Sequence, residues 1–145
     1  MYTSIRTVAL PGGLQGDLQW SRDELGTLWR LYPQGGGLHL AHAYTAVHGD
    51  LLRLNDLHVK ATALVPYAHP FWGRLGRRET VALRGLGLGS LLLREIQQEA
   101  RRRGLRGVTG TFTPERPGDA PRLRAFYTRH GFTLTGTDLR WVPGA

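Results

Sequence analysis

"LRGLGLGSLLLREIQQEARRRG", Leu83 to Gly104, alternates three glycines with leucines directly ahead of a long amphipathic segment. Glycine weakens a helix start unless the backbone must come close to something. A glycine-rich turn that opens a helix presents unpaired N–H groups at the positive end of the helix dipole. That end is a ready site for phosphate. The helix itself is expected from about Gly89 to Arg103, because Leu92, Leu93, Ile96 and Ala100 form an apolar stripe at helical spacing. Arg101, Arg102 and Arg103 stand at its negative end and Gly104 stops it. Helix-end electrostatics gives that arginine triplet an ordinary structural role, which weighs against a nucleic-acid patch.

Strands flank the helix. Ser4–Leu10 alternates and is rich in β-formers, and "PGGLQGD" breaks it. Leu38–Val47 and Leu51–Val59 read as two strands joined by the turn "HGD". Between them and the first strand lies an ambiguous stretch. Ser21 and Glu24 have capping-box spacing, with Leu25, Leu28, Trp29 and Tyr32 on one helical face. The same residues alternate, and Gly26 weakens a helix, so Gly26–Tyr32 is expected to be a strand of an antiparallel meander. Lys60–Ala82 shows no clear period and is punctuated by Pro66, Pro70, Gly73 and Gly76. After the helix, Leu105–Pro114 reads as a strand and completes a βαβ crossover. "APRLRAFYTRHG" is a second helix, with Pro121 in its first turn and Gly131 past its end. "FTLTGTDLRWVP" closes the chain as a hairpin around Gly136.

The 145 residues suit one domain, 1–145, with an insertion at about 60–83. With 41% hydrophobic and 21% charged residues the composition is that of an ordinary globular protein. No apolar run approaches the ~20 residues of a membrane helix, and "MYTSIRTVALPGG" lacks the long apolar region of a signal peptide. No membrane partner and a cytoplasmic location are therefore expected, as a monomer or homodimer. The absence of cysteine removes disulfides and thiolate metal sites, and no metal is expected. The formal charge of +8 attracts anions, phosphorylated cofactors and nucleic acid among them. Only Lys60 among the 19 basic residues is a lysine, a skew that a GC-rich genome also produces.

The glycine string separates the known phosphate loops. A nucleotide P-loop needs Lys and Ser/Thr after its last glycine, and here Ser90 and Leu91 follow Gly89. A dinucleotide fingerprint needs G-x-G-x-x-G, and this string is G-x-G-x-G. It does match Gln/Arg-x-x-Gly-x-Gly/Ala, through Arg84, Gly87 and Gly89. That pattern resembles the acetyl-coenzyme A motif of the GNAT superfamily of N-acetyltransferases. About forty residues on, "LRAFYTRHGF" (Leu123–Phe132) resembles the late helix of that superfamily, with its tyrosine and terminal Gly-Phe. The resemblance covers roughly Leu51 to Val142. Two departures stand out: Lys60–Leu83 intervene before the phosphate motif, and Ala120 takes the place of an asparagine seven residues before the tyrosine.

The resemblance implies an α+β fold, a mostly antiparallel sheet with one parallel βαβ crossover and flanking helices. It implies transfer of an acetyl group from acetyl-CoA to an amine acceptor by direct attack, with no covalent enzyme intermediate. Backbone N–H groups of Leu86, Gly87, Leu88, Gly89 and Ser90 would hold the pyrophosphate, with Arg84 adding a charge-assisted contact. Leu57, His58 and Val59 would pair with the amide arm and offer an N–H to the thioester oxygen. Tyr127 would be the general acid toward the leaving thiolate, against the alternative of a tyrosine that only packs its helix.

For the base the residues leave a choice. Asp56 is preferred, because a carboxylate inside a strand is unusual; it shares a face with His58. His58 offers an imidazole, and Glu79 is a third candidate. Tyr67, His69, Phe71 and Trp72 in the insertion suggest a lid or acceptor pocket, with Arg74, Arg77 and Arg78 in reach of phosphates. Two other readings stand beside the transferase: a basic module that binds nucleic acid, to which "FWGRLGRR" contributes, and a GNAT-like sensor that binds acyl-CoA without turnover.

Overall fold

The computed structural model describes residues 2–10, 15–34, 38–60, 62–66, 78–82, 87–114 and 116–144. Its strands are β1 (Tyr2–Ala9), β2 (Gln15–Arg22), β3 (Thr27–Pro33), β4 (Ala41–His48), β5 (Leu51–Val59), β6 (Thr62–Pro66), β7 (Arg78–Ala82), β8 (Gly107–Thr111), β9 (Thr133–Thr135) and β10 (Asp138–Trp141). Helix α1 spans Leu88–Arg102 and α2 spans Ala120–Arg129. Eight strands form one sheet in the order β1-β2-β3-β4-β5-β8-β10-β9, and β6 and β7 form a separate pair. The sheet is mostly antiparallel, with β5 and β8 running parallel. This is the α+β architecture with one parallel crossover that the sequence implies. Among the described residues no helix is long and apolar enough to cross a membrane.

The chain divides into two compact units, Met1–His42 with Leu57–Gly89, and Ala43–Asp56 with Ser90–Ala145. In the first, β1, β2 and β3 are successive antiparallel strands. The segment around Ser21 is strand, and Asp23 explains why. Its side-chain Oδ1 accepts from the N–H groups of Leu25 (2.8 Å) and Gly26 (3.1 Å), folding an Asx-type turn between β2 and β3. Ser21 therefore caps no helix, and Leu25 is exposed. β3 buries every second residue, with Trp29 and Leu31 in the core and Trp29 stacked on Trp20 of β2.

The aperiodic stretch Lys60–Ala82 holds a feature its sequence hides. Thr62–Pro66 and Arg78–Ala82 pair antiparallel as a hairpin, β6–β7, so the parallel crossover runs from β5 through this hairpin and α1 to β8. Residues 67–77 and 83–86 lie outside the described residues. Tyr67, His69, Phe71, Trp72, Arg74, Arg77, Arg84 and Leu86 are among them.

In the second unit the apolar stripe of α1 is buried as its period requires: Leu92, Leu93, Ile96 and Ala100 are fully enclosed. The helix ends in a Schellman motif, with Leu105 N–H donating to Ala100 C=O, Gly104 N–H donating to Arg101 C=O, and Gly104 at φ +66°. The arginine triplet is engaged in structure. Arg102 pairs with Glu99 at 2.7 Å, Arg103 approaches the same carboxylate at 4.0 Å, and Arg101 lies over the Trp141 ring.

Candidate functional site

Strand β5 supplies the first element, through an irregularity in its register. Gly49, at φ +61°, takes the first position of a two-residue turn, which sets His48 opposite Leu51. At the far end of the pair Lys60 N–H donates to Leu40 C=O at 2.9 Å. From His48 back to Leu40 is eight steps, and from Leu51 on to Lys60 is nine. That one-residue difference, with the break in alternation along β5, points to a β-bulge in the strand. Its place is marked by Asn55 and Asp56, two consecutive exposed residues in a strand that had alternated. The apolar positions shift from Leu52 and Leu54 to Leu57 and Val59 across it. Parallel pairing with β8 stops at the same point: it covers Leu51–Leu54 against Gly107–Gly110.

Tyr127 lies on the buried face of α2, 5% exposed, ringed by Phe112, Phe126 and Phe132 at 5.0–6.0 Å between centroids. Burial, followed by the charge of Asp56, pushes its phenol up to about 12. The fold thus brings Asp56 and Tyr127 into one electrostatic neighbourhood, and the tyrosine keeps its proton at neutral pH. The "Y-x-x-x-G-F" signature has a local cause. Phe132 N–H donates to Tyr127 C=O, Gly131 N–H donates to Thr128 C=O, and Gly131 stands at φ +85°. This is a second Schellman motif, with the Tyr127–Phe132 ring contact as its apolar clasp. Here Gly131 is required by backbone conformation, and it fixes the helix end that carries the tyrosine.

The glycine turn is described from Gly87 onward. Gly87 is at φ +82°, a conformation that a side chain would strain, and α1 starts at the next residue. Leu88 sends its side chain into the core. Ser90 in the first turn meets a residue that sequence reasoning missed: its Oγ lies 2.8 Å from His130 Nε2. His130 caps the end of α2, and its carbonyl accepts from the Gln97 amide at 2.8 Å. Burial, then Arg94 and Arg129, pushes the imidazole below its ordinary range, so it is neutral at pH 7. No local signal links residues forty positions apart.

Leu57, His58 and Val59 belong to the first unit. There the His58 ring lies 5.6 Å from His42, which lies 5.2 Å from His39, with His39 Nε2 and His42 Nδ1 3.2 Å apart. Burial, then Lys60, His42, Arg30 and His58, holds His39 below its usual range. Glu79 sits on β7 opposite Val65.

The strand order, the parallel pair and the helix placement in sequence define the GNAT acetyltransferase fold. Solved structures share it. One is a candidate acyl-CoA N-acyltransferase from Klebsiella pneumoniae subsp. pneumoniae MGH 78578, at TM-score 0.57 and 11% identity over 97% of both chains. A second is the candidate N-acetyltransferase YhhK from E. coli, solved with coenzyme A bound, at TM-score 0.54 and 18% identity over 84% of this chain and 75% of that one. A third is the ribosomal-protein-S18-alanine N-acetyltransferase from E. coli, at TM-score 0.51 and 16% identity over 96% and 89%. No protein-family model matches the sequence, and no curated protein matches it.

Proposed function

We propose that the chain is a GNAT-superfamily N-acetyltransferase that moves an acetyl group from acetyl-CoA to a primary amine within a ternary complex. The observation that carries this reading is a crossover helix opened by a left-handed glycine, Gly87, inside the GNAT strand order. Its first-turn N–H groups, from Gly87 to Ser90, are suited to a pyrophosphate, and Gly87 and Gly89 leave the backbone open to it. Arg84 and Leu86 complete the proposed phosphate contacts. Leu57, His58 and Val59 are assigned to the amide arm and to an N–H facing the thioester oxygen.

In the reaction the amine nitrogen bonds to the thioester carbon and the carbon–sulfur bond breaks. Asp56, directly or through water, takes the proton the amine loses. Tyr127 donates its proton to the leaving thiolate. The phenol carries its proton at neutral pH, as a donor must, although burial makes it a weaker acid, and the carboxylate near it is exposed at the bulge. Holding the two reactants together supplies much of the rate. The deciding experiment is calorimetry with acetyl-CoA followed by thiol release across a panel of amines. Binding with amine-dependent thiol release supports the transferase. Binding without release on any amine points to the sensor, and no binding removes both.

A further inference from the structure

The sheet of the second unit has two faces of opposite chemistry. Leu52, Leu54, Val108, Leu139 and Trp141 are buried on one. The residues that alternate with them include Arg53, Thr109, Thr111, Asp138 and Arg140, and the strand register aligns these in rows. Arg53 of β5 lies opposite Thr109 of β8, Thr109 opposite Arg140 of β10, and Arg140 opposite Thr133 of β9. One step along, Asp138 lies between Thr111 and Thr135. Both rows line a groove of about 620 Å³. Small-molecule sites occupy about 300–1,000 Å³.

Arg53 and Arg140 stand two strands apart, roughly 9.5 Å between backbones, with the Thr109 position between them. Both side chains are exposed, and neither forms an ion pair or hydrogen bond with another described residue. Two guanidinium forks flanking a hydroxyl match an oxyanion, which accepts paired N–H bonds from each fork. The groove's carboxylate, Asp138, is two residues along β10 from Arg140, about 6.6 Å at strand rise. That row lies toward the carboxyl ends of β5 and β8, where ligands of parallel strands bind. Asn55 and Asp56 follow Arg53 along β5, and all three are exposed.

We propose that this groove receives the acceptor, and that the acceptor is a small primary amine bearing a carboxylate or phosphate. Arg53 and Arg140 hold the oxyanion across Thr109, and the amine extends toward Asp138 and the bulge. The identity of the groove as an acceptor site rests on the acetyltransferase reading; its affinity for an oxyanion does not. The spacing of the two rows suits an amine and an oxyanion separated by a few bonds.

The test uses three amines that share an aminoethyl unit: ethanolamine, β-alanine and O-phosphoethanolamine. Each is titrated into the full chain without acetyl-CoA, then offered with it in the thiol-release assay. At least one of the two anionic amines should bind and react, and ethanolamine should do both at least ~10-fold less well. The better anion identifies the oxyanion. Arg53→Gln and Arg140→Gln should each weaken its binding by about 10- to 100-fold, with acetyl-CoA affinity unchanged. Ethanolamine equal to both anions, no measurable binding of either anion, or unaltered affinity in the two variants overturns the proposal. Failure of the native chain to bind acetyl-CoA would remove the transferase while leaving the oxyanion result to stand by itself.

Discussion

The two halves of β5 differ in everything but direction. Leu51–Leu54 pairs in parallel with β8 and buries Leu52 and Leu54 to 1% and 3% exposure. From Asn55 onward the ladder has ended, and Asn55 and Asp56 are both exposed. A single extra residue separates the halves. In an unbulged strand the side-chain period of two would put Asp56 and His58 on the face of Leu52 and Leu54. The bulge resets that period, and in doing so it turns a core strand into one with an exposed carboxylate near a buried phenol. The first half is built for the core, and the second carries the proposed proton transfer.

The largest effect is expected where the second half meets α2. Tyr127→Phe removes one hydroxyl and leaves the aromatic cluster of Phe112, Phe126 and Phe132 in place. Acetyl transfer should slow by ~10²–10⁴-fold, the usual cost of losing a general acid, with acetyl-CoA affinity unchanged by calorimetry. A rate equal to the native one on the same amine would make Tyr127 a packing residue and dissolve the contrast between the halves.

The next effect belongs to the first half. Gly110 allows β5 and β8 to approach, since a Cβ there would stand 2.6 Å from the Leu54 carbonyl oxygen. The obstacle is backbone, which cannot rotate aside. Gly110→Val should cost about 2–3 kcal/mol, in the range of overpacked interiors, and lower the Tm by roughly 5–10 °C. Thermal unfolding at neutral pH reads it directly. A Tm within a degree of the native value would show that the parallel ladder is slack.

How much of this contrast could be read from the sequence varied with the range of the interaction. The stripe of α1 was legible because four turns repeat one period, and the closing hairpin because Gly136 marks its turn. β3 was legible from alternation once Gly26 discounted the helix. The β6–β7 hairpin was not, because two five-residue strands in a Pro- and Gly-rich stretch leave no pattern to count. The bulge left a trace, the shift of apolar residues from 52 and 54 to 57 and 59, which has meaning only when the partner strand is known. The arginine row left none: Arg53, Thr109 and Arg140 each read as the solvent side of a strand until register aligns them.

Alkaline pH sharpens the view of the second half without any assay of activity. Tyr127 has a folded pKa of about 12 against an ordinary 10. The folded state holds the proton more tightly, so its stabilising contribution is complete below pH 10 and is lost as pH rises toward 12. The loss should be on the order of 2 kcal/mol across that window. Tyr127→Phe should lack it, so the difference between the two denaturation curves isolates it. Asp56→Asn should shrink the difference only in part, because burial is the larger cause. Identical alkaline profiles for the native chain and Tyr127→Phe would place the phenol in water.

The smallest effect asks whether the reactive end reaches past β5 to the start of α1. His130 is neutral at pH 7, joined to Ser90 Oγ at 2.8 Å and fixed through its carbonyl by Gln97. A ring in this position sets the rotamer of Ser90 in the turn assigned to the pyrophosphate. It acts through Ser90, so it is a positioning residue. His130→Ala leaves the Gln97 bond, which is made to the backbone, and removes the bond to the hydroxyl and the ring contact with Phe126. One such bond is worth about 0.5–1.5 kcal/mol, so acetyl-CoA should bind roughly 2- to 10-fold more weakly, with the rate at saturation unchanged. The native complex should also tighten as pH falls below 6.5, because a charged imidazole adds a cation near the pyrophosphate, and His130→Ala should not follow it. A fall in the saturated rate with unaltered affinity would move His130 from the phosphate turn to the chemistry of Tyr127, one helical turn away.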